Sequence, residues 1–121
     1  MTLEESKLHK LGILDADFNL DILEGTVINV PTKGDMYMRG ESSVSRLNVA
    51  STLIGAGVVS DPTVVYDSES NEFSLTKVEI DSVIIQAMEW GYQRMIYKEN
   101  LRKQVNYATT VAEINSINYL R

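Results

Sequence analysis

Cysteine is absent from the 121 residues, which excludes disulfides, thiolate metal sites and a cysteine nucleophile, and leaves the redox compartment unreadable. Histidine occurs once, as His9, with no serine or carboxylate constellation tied to it in the sequence, and reads as a surface residue. Positive charge is scarce. Eleven Lys plus Arg against 17 Asp plus Glu leave a net charge of -6, a field that repels phosphate and anionic lipid, so no nucleic-acid and no membrane partner is expected. Nowhere does an apolar stretch approach the roughly 20 residues needed to cross a bilayer, and Met1 to Lys10 lacks the cationic-then-apolar order of a signal peptide. A water-soluble chain is expected. Proline is limited to two residues, which act as punctuation: Pro31 stops a β-branched run and Pro62 opens a hairpin. What is present is 44% hydrophobic and 23% charged residues, enough for one core but not for two large domains.

Three Thr-x-x-Glu pairs mark helix starts, since hydroxyl and carboxylate each satisfy the other residue's backbone N–H. Thr2 with Glu5 predicts a short first helix to about Leu11, ended by Gly12, and Ile13 to Glu24 shows neither helical nor strand period. Gly25 to Val30 reads as a strand, Met36 to Arg39 as a second short one, and about Ser43 to Ile54 as a helix with Val44, Leu47, Ala50 and Ile54 inward. The run Asp67 to Asn71 is a turn signal, placing a hairpin at about 62–75. Thr76 with Glu79 opens a long helix at about 77–104, broken in pattern only by Gly91, and Thr110 with Glu113 opens a last short helix through about Ile117. The expected fold is α+β and mainly helical: short strands or a hairpin packed on one long helix, with short N- and C-terminal helices. The expected division is an attachment arm over residues 1–33 and a compact domain over 34–121.

No motif carries chemistry. Asp15, Asp17 and Asp21 are spaced like calcium ligands, but Leu20 and Thr26 stand where the calcium loop needs glycine and glutamate. The glycines match neither a dinucleotide fingerprint nor a phosphate loop. Tyr37, Arg39 and Arg46 lie among acids that oppose a nucleic-acid patch. Asp67 and Glu69 fall in a turn, where solubility is their expected role. No catalytic residue, no cofactor and no metal site is expected. The long helix is apolar over much of its circumference, and Trp90, Tyr92, Met95, Ile96 and Tyr97 are the candidate interface, with a plain core as the competing reading. Residues 1–30 carry a net -4, 31–75 a net -3 and 76–121 a net +1, so the long-helix region complements the rest, within one chain or between copies.

From Gly34 onward the order of motifs resembles an uncharacterised domain near the C-terminus of many small tail-fibre-associated and tail-fibre-assembly-like proteins of tailed bacteriophages. The residues that carry the resemblance are G-D-M-Y-M-R-G-E-S-S-V-S-R-L at Gly34 to Leu47, D-S-E-S-N at Asp67 to Asn71, F-S-L-T-K-V-E-I at Phe73 to Ile80, W-G-Y at Trp90 to Tyr92 and L-R-K-Q-V-N-Y-A-T-T-V-A-E-I at Leu101 to Ile114. It covers about two thirds of the chain. The resemblance implies a non-enzymatic viral protein acting by protein–protein contact, with other phage tail, baseplate or fibre proteins or further copies of itself as partners. It would be made in the host cytoplasm and retained in the virion tail. The alternative it implies is a fibre-assembly chaperone that leaves before the particle is complete.

Overall fold

All three Thr-x-x-Glu pairs form in the computed structural model, which describes residues 1–121. Thr2 N–H donates to Glu5 Oε1 at 3.3 Å and Glu5 N–H to Thr2 Oγ1 at 3.1 Å, opening α1, Leu3–Glu24. Thr76 and Glu79 exchange the same two bonds at 2.9 and 3.2 Å, opening α3, Lys77–Tyr107. Thr110 caps α4, Val111–Asn115, by accepting from Glu113 N–H at 3.2 Å, but the Glu113 carboxylate reaches back one residue further, to Thr109 N–H at 2.9 Å. Between these lie β1 (Thr26–Val30), β2 (Gly34–Met38), α2 (Gly40–Gly55), β3 (Thr63–Tyr66) and β4 (Glu72–Leu75). Helix occupies 61% of the residues, and the fold is α+β, mainly helical. No helix is long and apolar enough to cross a membrane.

Two expectations are corrected. The first helix is not short and Gly12 does not end it: α1 runs 22 residues, and Ile13 to Glu24, which lack an obvious period, are helical. The helix continues because Leu14, Phe18 and Asp21 find partners far away in sequence, which outweigh the roughly 1 kcal/mol that an internal glycine costs. Nor does the fold divide at residue 33. Its compact units are Met1–Ile22 with Tyr92–Arg121, and Leu23–Gly91, so the first 22 residues are half of a core and not an arm.

In the unit over 23–91, β1 and β2 pair antiparallel, Thr26 opposite Met38 and Val30 opposite Gly34; β3 and β4 pair likewise, Thr63 opposite Leu75 and Tyr66 opposite Glu72. Side-chain alternation places Ile28, Val30, Met36 and Met38 inward from the first hairpin and Val65, Phe73 and Leu75 from the second. They close on Leu47 and Ile54 of α2 and on Ile80, Val83, Ile84 and Ala87 of α3. Gly25 enters β1 at φ +72°, and a Cβ there would lie 1.9 Å from the Met38 carbonyl oxygen.

The two hairpins are joined by Asp67. Its carboxylate is buried and accepts from the backbone N–H of Tyr37 (3.0 Å), Glu69 (2.9 Å) and Asn71 (2.9 Å) and from the Asn71 amide (3.1 Å). Ser68 N–H adds a bond to the Tyr37 carbonyl at 2.9 Å, so the outer edge of β2 is covered by the turn of the other hairpin. Asp67 is therefore not a solubilising turn residue. Burial pushes its carboxyl up, but the four donors together outweigh burial and hold it below the ordinary carboxylate value.

The other unit packs Leu14 of α1 against Leu101 and Val105 of α3 and against Ile117 and Tyr119, with Leu11, Phe18 and Tyr97 beside them. The charge complementarity read from the sequence is used here inside the chain. Arg94 pairs with buried Asp21 at 2.7 Å and Arg102 with Asp15 at 2.9 Å, while Lys7 and Lys10 donate to the carbonyls of Asn106 and Ile117 at 3.0 and 2.9 Å. The Tyr119 hydroxyl donates to Asp21 at 2.5 Å, completing a triad in which every buried polar atom has a partner. Burial and the neighbouring Asp21 carboxylate push the Tyr119 phenol up to about 12, against the opposing effect of Arg94.

Candidate functional site

α3 presents its candidate residues on two different sides. Trp90 and Tyr97, seven residues apart, share one side of the helix; Tyr92 and Met95 share another, because residues two apart do not face each other. Tyr97 is occupied internally. Its ring lies 5.1 Å from that of Tyr119, the Arg94 guanidinium sits 4.8 Å above it, and its hydroxyl accepts from Leu120 N–H at 3.1 Å. Trp90 and Ile96 are half-buried. Only Tyr92, 57% exposed, and Met95, 40% exposed, stand largely in solvent.

Two residues outside the candidate set are more exposed still. Ile85 and Met88 are 64% and 59% exposed, more than either aromatic of the W-G-Y motif. Ile85 and Met88, in the unit over 23–91, stand three residues apart and share one side of α3, and Tyr92 and Met95 do the same in the other unit. That spacing was available in the sequence. It is masked there because Ile80, Val83, Ile84 and Ala87, which face the core, interleave with it. Exposed Gln86 and Glu89 border the first pair and exposed Gln93 the second, a polar margin of the kind interfaces have.

Elsewhere the side chains that could do chemistry are dispersed or already engaged. His9 is exposed on α1. No group of three or more His, Asp or Glu side chains is placed to hold a metal ion. Asp15 is taken by Arg102 and Asp21 by Arg94 and Tyr119. What remains is a pair of exposed apolar side chains in each unit, Ile85 with Met88 and Tyr92 with Met95, of a kind that burial against another protein would cover. Comparison with protein-family models, with curated proteins and with solved structures finds no match to this chain.

Proposed function

We propose that the protein works by contact, as a structural or adaptor component of a bacteriophage tail or fibre apparatus. One observation carries the contact reading: Ile85 and Met88 in one unit, and Tyr92 and Met95 in the other, spend apolar surface of α3 on solvent. Covering what these side chains still expose adds, for each, a fraction of the roughly 1.5–3 kcal/mol that full burial is worth, which favours a partner that covers them. Placement in the tail follows from the ordered resemblance over Gly34 to Ile114. Mass spectrometry of purified virions tests it: peptides of this protein at a fixed ratio to known tail proteins are expected, and their absence from intact particles overturns the structural role.

A further inference from the structure

A second surface, in the unit over 23–91, is independent of the exposed pairs on α3. Asp67 N–H bonds to the Asn71 carbonyl at 3.1 Å and Ser70 N–H to the Asp67 carbonyl at 3.1 Å, with Ser70 at φ 62°, the closure of a three-residue hairpin loop with a bulge. Counting back along the antiparallel register, Val65–Phe73 and Thr63–Leu75 are the hydrogen-bonded pairs, so the backbone groups of Val64 and Tyr66 point away from β4. The opposite side of the hairpin confirms the parity: Ser74, across from Val64, turns its carbonyl outward and there accepts from Lys33 Nζ at 3.0 Å. The outer edge of β4 is thus capped by Lys33 and that of β2 by Asp67 and Ser68, while nothing bonds the N–H or C=O of Val64 or Tyr66.

Along that free edge runs an apolar groove of about 290 Å³, walled by α2 through Arg46, Val49, Ala50 and Leu53 and by all four residues of β3. Successive strand residues point to opposite faces, so a groove lined by four in a row faces the strand edge itself. Its volume falls at or below the range of about 300–1,000 Å³ usual for drug-sized ligands and suits a few aliphatic side chains. Arg46 is exposed and forms no ion pair. Arg39 N–H donates to Ser68 Oγ at 2.8 Å, which holds the start of α2 near the end of β3, and Arg46 and Tyr66 line the same groove.

The geometry points to β-strand addition: an extended segment of another protein pairs with the Val64–Tyr66 edge, lays alternate apolar side chains into the groove against Val49 and Leu53, and sets an acidic side chain or terminal carboxylate against Arg46. Backbone bonding then supplies affinity, and the groove and the guanidinium supply selection.

A displayed library of random short peptides, panned on the full chain, tests this. Enriched peptides with apolar residues at alternate positions and an acidic residue at one end are expected. On binding them, the Val64 and Tyr66 amides, fast-exchanging in the free protein, become protected. Val64→Pro deletes an N–H the hairpin does not use and should weaken these peptides at least about fivefold. Val49→Glu, at an exposed helix position, should abolish binding without touching the strand, so that a misfolded proline variant does not decide the matter. A library that enriches nothing, peptides indifferent to Val49→Glu, or a free protein whose edge amides are already protected by a second copy overturns the proposal.

Discussion

Asp67 shows how much of this fold depends on single residues. Replacing it with alanine leaves the N–H groups of Tyr37, Glu69 and Asn71 without acceptors and should cost about 3 kcal/mol in urea denaturation. Because the folded carboxyl lies below its unfolded value, its stabilisation is complete above a pH of about 3.9 and is lost as pH falls through that value toward the folded one. Asp67→Asn should therefore both lower stability at neutral pH and flatten its acid limb. Two glycines should respond to alanine with opposite signs. At Gly12 an added Cβ meets nothing within 4 Å, so Gly12→Ala should raise stability by about 0.5–1 kcal/mol. At Gly25, positive φ and the Met38 carbonyl make the same change cost at least about 2 kcal/mol. Burial and the Asp21 carboxylate push the Tyr119 phenol up to about 12, so absorbance titration should show a late-ionising phenol, and Asp21→Asn should bring it down. None of these roles was legible in the sequence except the turn containing Asp67. The Tyr37 donor lies 30 residues from Asp67, and the bond between Tyr119 and Asp21 spans 98.

Elements were more legible where their signals are local. The capping pairs at Thr2, Thr76 and Thr110 fixed three helix starts, and the Asp67–Asn71 turn fixed the second hairpin, because each signal and its partner lie within five residues. Thr76→Ala should cost about 1 kcal/mol by thermal denaturation, through loss of the α3 cap. The second half of α1 was illegible because what holds it helical is remote: Arg102 reaches Asp15 across 87 residues and Arg94 reaches Asp21 across 73. On α3 the sequence names Trp90, Tyr92, Met95, Ile96 and Tyr97; Tyr92 and Met95 are exposed, Trp90, Ile96 and Tyr97 are half-buried, and exposed Ile85 and Met88 lie outside that set. Trp90 is half-buried, so Trp90→Ala should cost well under the ~3–5 kcal/mol of a fully buried ring.

For the whole molecule, the exposed apolar residues of each unit separate association from folding. Met88→Glu and Tyr92→Glu sit at exposed positions and should change stability by no more than about 0.5 kcal/mol, yet each should weaken whatever complex α3 makes, read as a loss of mass in light scattering of the assembled species. The division into units also bears on synthesis. Residues 23–91 are continuous in sequence and hold every strand, so that unit is complete while the ribosome is still making the rest of α3. The other unit joins residues 1–22 to 92–121, and Leu14 has no Leu101, Val105 or Tyr119 to pack on until those residues have been made. Until then α1 lacks its packing partners, and protection of Leu14 from proteolysis on stalled nascent chains should appear only once residues 92–121 have left the ribosome.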